Sequence, residues 1–211
     1  MPAKRIHLVR HGEVYNPSGV LYGRLPNFHL SDTGKLMAMA AAQELKDQGF
    51  PIRAIFSSPL IRTQESAKPI EELFGLDAKT NENLIEPWNV FEGRKLSVKA
   101  VAVRPHWWWH FRNPAKPAWG ESFIDIIARM QEAISEAAES VKDGDVVLVT
   151  HQLPIWVMHL HAAGEKLMHD PRKRRCSLSS ITSFEFIDGK LTEVGYLEPA
   201  AKLSAIDRGA V

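Results

Sequence analysis

A layered α/β domain with a mostly parallel sheet is predicted by three observations. Short β-branched and aliphatic runs, Ile6–Val9, Ile52–Phe56 and Val146–Val149, read as buried strands, and each is followed by a helix-like segment. Phe123, Ile126, Ile127, Met130, Ile134, Ala137, Ala138 and Val141 form one apolar stripe at helical spacing. Ile181–Ile187 alternates, meets Asp188-Gly189 and resumes as Leu191–Leu197, the pattern of an antiparallel hairpin at one edge.

The remaining elements follow in chain order. Leu36–Leu45 is rich in Ala, Met and Leu, with Ser31-Asp32 ahead of it as an N-cap and Gly49 behind it as a stop. Pro59 opens a second helical segment that Gly75 closes, and Pro69 inside it predicts a kink or an early break. Residues 94–120 fit no regular pattern and hold Pro105, Pro114, Pro117 and the run Trp107-Trp108-Trp109. They read as an irregular, lid-like excursion within a single domain spanning 1–211. Residues 199–211 read as a frayed tail.

Composition narrows the function. Hydrophobic residues at 45% and charged residues at 24% exclude wholesale disorder. A net charge of +1 gives no electrostatic reason to expect nucleic acid or a membrane surface as partner. No signal peptide and no membrane span are expected, and the lone Cys176 cannot form an intrachain disulfide. A cytoplasmic protein is the expectation.

Ligands of open α/β sheets bind at the carboxyl ends of the strands. There the sequence carries Arg10-His11-Gly12-Glu13, then Ser57-Ser58-Pro59 with Arg62 in the first helical turn, then Thr150-His151-Gln152. Two guanidinium groups suit the oxygens of a phosphoryl group. A neutral imidazole can attack phosphorus. A leaving alkoxide then needs a proton, and Glu86 in Leu84-Ile85-Glu86-Pro87 is the best candidate, with Glu13 and Glu92 as competitors.

In this order the motifs resemble those of the histidine phosphatase superfamily, also called the phosphoglycerate mutase-like family, over most of the chain. Arg10-His11-Gly12-Glu13 is similar to its signature, and Asn16 and Gly23 to the loop that follows. Leu30-Ser31-Asp32-Thr33-Gly34, Ser57–Thr63, Leu84-Ile85-Glu86, Gly120-Glu121-Ser122 and Val149-Thr150-His151 match its later motifs. The resemblance implies a three-layer αβα sandwich. It implies His11 as the phosphorylated nucleophile and Arg10, Arg62 and His151 as the phosphate pocket. Glu86 would be the general acid and then the base, while Asn16, Tyr22, Gly23 and Gln152 would line the substrate side. It implies a small phosphorylated substrate, and neither metal nor organic cofactor. A homodimer is compatible with it, and no sequence feature decides that point.

Glu13-Val14-Tyr15 and Gln152 depart from the secreted acid-phosphatase branch, and the segment after Glu86 is shorter than in phosphoglycerate mutases. The chain looks more like the broad-specificity phosphatases, although Gln152 replaces a usual glycine. A phosphomonoester hydrolase is the leading expectation, ahead of a phosphoglycerate-type mutase and then of a non-catalytic phosphate-binding module. Other features have bland readings. His106 and His110 are spaced like some zinc ligands but flank three tryptophans, which favours packing or a substrate wall. Trp107–Trp109 are equally core or lid. His159 and His161 read as structural and Cys176 as inert. Arg172–Arg175 read as solvated surface or as recognition of a second anionic group.

Overall fold

The computed structural model describes residues 3–95 and 120–203. Six strands form one mixed sheet: β1 (Arg5–Arg10), β2 (Ile52–Ser57), β3 (Ala78–Thr80), β4 (Asp145–Thr150), β5 (Ile181–Ile187) and β6 (Lys190–Leu197). The spatial order is β3-β2-β4-β1-β5-β6. The first four are mutually parallel, and β5 and β6 join antiparallel at the β1 edge. Among the described residues four helices complete the layers: α1 (Asp32–Asp47), α2 (Ile61–Phe74), α3 (Phe123–Glu139) and α4 (Gln152–Ala162).

Strand alternation sorts the core into two layers. Ile6, Leu8, Val146 and Leu148 point to the side of α3 and α4, where Ile126, Met130, Ile134 and Val157 meet them. Val9, Val147 and Val149 point the other way, toward Ala41, Ala42 and Leu45 of α1 and Ala67 and Ile70 of α2. Both faces of β1 and β4 are therefore covered, which is why these strands read as continuous apolar runs. His7 is the polar exception within Ile6–Val9 of β1. It is buried between Ser183 of β5 (Nδ1 to Oγ, 2.8 Å) and Asp145 of β4 (Nε2 to Oδ2, 3.4 Å).

The apolar stripe becomes α3, although the helix ends at Glu139 and Val141 packs beyond it. Ser31 caps α1 by accepting from the Gly34 amide at 2.9 Å. The hairpin turns through Asp188 and Gly189, both at positive φ (51° and 75°), the geometry of a type I′ turn.

Three expectations are corrected or fall outside view. No break occurs at Pro69, and α2 continues to Phe74. Ala67 and Ile70 flank the proline and are buried against α1, so packing outweighs the single backbone hydrogen bond that proline removes. The tail is not frayed from 199: Ala200 is buried with Met37 and Leu178, and a 3₁₀ turn, Ala201–Leu203, docks there. Of the excursion only residues 94, 95 and 120 are described, and Gly120 forms an antiparallel bridge with Asn89, which precedes the excursion. His106, His110 and Trp107–Trp109 fall in the part not described.

Candidate active site

Strand register brings the two motif histidines together. Arg10 is the register partner of Thr150 on the adjacent parallel strand, so the next residue on each, His11 and His151, leaves the sheet at the same level. The His11 amide donates to the Thr150 carbonyl at 3.1 Å, and the two imidazole centroids lie 5.2 Å apart. Ser57 ends β2 opposite Val149, and the Ser58 amide donates to the Val149 carbonyl. This brings the Ser58 hydroxyl to 2.9 Å from His151 Nε2.

The partners fix both tautomers. A carbonyl can only accept, and Gly12 O lies 2.8 Å from His11 Nδ1, so Nδ1 carries the proton and Nε2 keeps its lone pair. A guanidinium can only donate, and Arg62 Nη2 lies 3.3 Å from His151 Nδ1. His151 therefore carries its proton on Nε2 and donates to Ser58. Burial, then the charges of Arg62 and Arg10, hold the His11 pKa well below the ordinary histidine value. Burial and then Arg62 do the same to His151. Both rings are neutral at pH 7.

Arg10 and Arg62 are almost wholly inaccessible to solvent. Arg10 Nη1 donates to the Cys176 carbonyl at 2.6 Å. Arg62 Nη2 donates to the Gly23 carbonyl at 2.7 Å, and its guanidinium carbon sits 4.8 Å from the Tyr22 ring centroid. Its Nε and Nη1 are buried with no hydrogen-bond partner among the described residues. Burial lowers the Arg62 pKa, which Tyr22, Glu86 and Glu92 oppose. A buried guanidinium with undirected donors is suited to an oxyanion.

The three candidate carboxyls differ in position. Glu13 accepts the Ser31 hydroxyl at 2.5 Å, and Glu92 Oε1 accepts the amides of Arg24 and Asn89 at 3.1 Å each. Glu86 Oε2 instead lies 3.4 Å from His151 Nδ1, with its side chain 12% exposed. Burial raises its pKa, against the opposing charges of Arg62, Arg174, Arg10 and Arg129. Its loop is anchored at several points. Thr150 Oγ1 donates to Leu84 O (2.6 Å), Arg24 Nε to Glu86 O (2.5 Å) and Arg129 Nη1 to Asn83 O (2.6 Å). Glu121 binds both of those arginines, Arg24 at 3.2 Å and Arg129 at 2.7 Å.

The expected substrate-side residues do not all present side chains. Tyr22 packs its ring edge-on to His11 at 6.4 Å and contacts Arg62. Gly23 contributes a carbonyl, and its positive φ (40°) and missing Cβ admit the Glu92 carboxylate. Asn16 folds its amide back on Val20 (Nδ2 to O, 2.8 Å) and shapes its own loop. Gln152 Nε2 reaches the Cys176 carbonyl at 3.4 Å. Burial pushes the Cys176 thiol up to about 11, consistent with an inert thiol.

Sequence reasoning singled out neither Ser58 nor the Arg24–Glu121–Arg129 clamp as site residues. Ser58 and Glu121 stood within recognised motifs, whereas Arg24 and Arg129 had no local signal.

The signature loop is set by two interlocked glycines. A Cβ on Gly12 would lie 2.3 Å from Gly34 O, and one on Gly34 would lie 2.0 Å from Glu13 O. Both clashes are with backbone, so Gly34→Ala is expected to destabilise the fold by about 1–3 kcal/mol. Thermal denaturation measures this as a lowered Tm, and an unchanged Tm would show that the loop yields freely.

An α/β sandwich with two histidines and two buried arginines on the carboxyl edge of its sheet is phosphoglycerate mutase-like. The chain belongs to the histidine phosphatase superfamily (branch 1), whose family model matches residues 6–198. It is 48% identical over 198 residues to the uncharacterized protein Rv0525 of Mycobacterium tuberculosis, covering 93% of this chain and 97% of that one. It is 30% identical over 187 residues to the probable phosphoglycerate mutase GpmB of Yersinia pestis, covering 84% of each. Among solved structures, the mycobacterial glucosyl-3-phosphoglycerate phosphatase Rv2419c superposes with a TM-score of 0.72 at 24% identity, covering 90% of this chain and 96% of that one. No helix among the described residues is long and apolar enough to cross a membrane.

Proposed function

We propose that the protein is a metal-independent phosphomonoester hydrolase that works through a phosphohistidine on His11. The observation that carries this reading is the state of His11: a neutral ring, proton committed to Gly12 O, lone pair on Nε2, beside two buried guanidinium groups.

Arg10 and Arg62 hold the phosphoryl oxygens. His11 Nε2 attacks phosphorus, the P–O ester bond breaks, and Glu86 gives its proton to the departing oxygen. The ring becomes cationic, and the Gly12 carbonyl at Nδ1 steadies that charge. Water then attacks phosphorus, the Glu86 carboxylate takes its proton, and the P–N bond breaks. His11 returns to its neutral state, and one ester and one water have become an alcohol and phosphate. His151 stays neutral and donates through Nε2; it can turn that donor from Ser58 to a phosphoryl oxygen.

Similarity to the Yersinia protein supports a second reading, a mutase that returns the phosphoryl group to its substrate. The two differ in what meets the phosphoenzyme, water or a hydroxyl. Rapid acid-free quenching during turnover of an aryl phosphate, followed by peptide mass analysis, tests both. A base-stable, acid-labile phosphoryl group on the His11 peptide is expected, with phosphate released as fast as the phenol. An unlabelled His11 overturns the mechanism. A long-lived label discharged by a hydroxy acid selects the mutase.

A further inference from the structure

α2 carries Arg62 and Ser66 one helical turn apart on the same side, and both are buried. A serine inside a helix ordinarily adds nothing that alanine lacks, because its hydroxyl competes with the backbone. Ser66 does make that local bond: its hydroxyl donates to the Arg62 carbonyl at 2.7 Å. The same oxygen also accepts the Gly12 amide at 3.1 Å. One side chain therefore ties the helix that presents Arg62 to the loop that presents His11.

The tie falls on the peptide unit next to the nucleophile. The peptide between His11 and Gly12 is held at both edges. Its carbonyl accepts the Ser179 amide at 3.3 Å, and its N–H is the one given to Ser66. Ser179 aims its amide there from a positive φ of 55°. On the other side of the His11 Cα, the His11 amide is fixed to Thr150 O. The ring takes its bearing from this backbone, since Nδ1 donates to Gly12 O. Thr150, Ser179 and Gly12 act through backbone atoms, whereas Ser66 acts through a side chain. Without that hydroxyl the buried Gly12 N–H loses its acceptor, and a loop that shifts to find another carries the Gly12 carbonyl, and the ring, with it. In-line attack tolerates little of this: a misplacement of about 1 Å costs on the order of 100-fold in rate.

We propose that Ser66 is a positioning residue, whose hydroxyl bridges the Gly12 amide and the Arg62 carbonyl and so holds the His11 ring in line with the phosphoryl group that Arg62 binds. Ser66 acts through the loop and not on the substrate. The inference rests on the phosphohistidine reading and extends it to the group that aims the nucleophile.

Kinetics of Ser66→Ala with an aryl phosphate, and inhibition by inorganic phosphate and by orthovanadate, test it. Phosphate needs the two arginines, which are anchored separately on Cys176 O and Gly23 O. Vanadate mimics the five-coordinate transition state by taking an imidazole nitrogen as a ligand, so it also needs His11 correctly aimed. In Ser66→Ala kcat is expected to fall about 10- to 100-fold. The phosphate inhibition constant should change less than about twofold, while that of vanadate rises in step with the lost rate. Ser66→Thr, which restores a hydroxyl, should recover most of the rate. Ser66→Cys, close to serine in size but a poor acceptor, gives the same reading if the alanine variant does not fold. A folded alanine or cysteine variant that keeps the native rate overturns the proposal. So does an equal loss of phosphate and vanadate affinity, or a folded threonine variant as slow as alanine. A native protein that takes no label on His11 removes the phosphohistidine reading and this inference with it; a labelled, active native protein indifferent to Ser66 removes this inference alone.

Discussion

Replacing His11 by alanine is expected to lower the turnover of an aryl phosphate by about 10,000-fold or more, because the covalent route loses its nucleophile. The loss should fall on kcat. Arg10 and Arg62 are anchored independently of the ring, by Cys176 O and Gly23 O, so phosphate affinity should survive. EDTA should leave the wild-type rate unchanged. The pH profile adds a sign. Attack needs the neutral ring, and burial with Arg62 and Arg10 holds its pKa well below 6.5. The fraction of competent His11 is therefore complete above that region and falls only as pH drops through the depressed pKa. Steady-state kinetics of both proteins from pH 5 to 9 checks this. Activity that persists in the alanine variant would sink the nucleophile assignment, and an acid limb centred at 6.5 would contradict the buried neutral ring.

What was legible in the sequence was what depends on neighbours along the chain. Strand ends announced Arg10-His11 and Thr150-His151, since a parallel α/β sheet sends such residues to one edge. Asp188-Gly189 announced the hairpin because both residues accept positive φ. Elements decided by distant packing were not legible. Pro69 argued locally against a helix that the buried Ala67 and Ile70 maintain. The three-residue β3 has no apolar pattern of its own; pairing with β2 holds it, and the Glu71 carboxylate accepts the Ala78 amide. The site divides the same way. Glu86 could be nominated from its motif, but its preference over Glu13 and Glu92 rests on Ser31, Arg24 and Asn89 having engaged the competitors. Arg24, Glu121 and Arg129, which clamp the Glu86 loop, meet only in the folded chain. Likewise a run of basic residues gave no sign that Arg174 would turn toward His169 and Gln152 while Arg172 pairs with Asp170 and Arg175 with Glu193.

Glu86→Gln is expected to separate the two halves of the reaction. Glutamine keeps the shape and can neither donate the proton nor accept it. For an alkyl phosphate, whose leaving oxygen needs protonation, kcat should fall by about 100- to 10,000-fold. For an aryl phosphate with an acidic phenol the first step needs little help, so phosphorylation of His11 should stay fast. Discharge by water still lacks its base. The variant should therefore release a burst of phenol equal to the active sites and then hold nearly every site as phosphohistidine, a higher occupancy than in native turnover. The pH dependence follows from the raised Glu86 pKa, caused chiefly by burial. The acid form of Glu86 persists to higher pH than an ordinary carboxyl, and alkyl-ester cleavage declines as pH rises through that value. In the Glu86→Gln variant that alkaline limb should vanish along with most of the rate. Stopped-flow phenol release with quenched phosphoenzyme counts measures both effects. Alkyl and aryl esters slowed equally, with no burst, would show that Glu86 orients the pocket and that another group moves the proton.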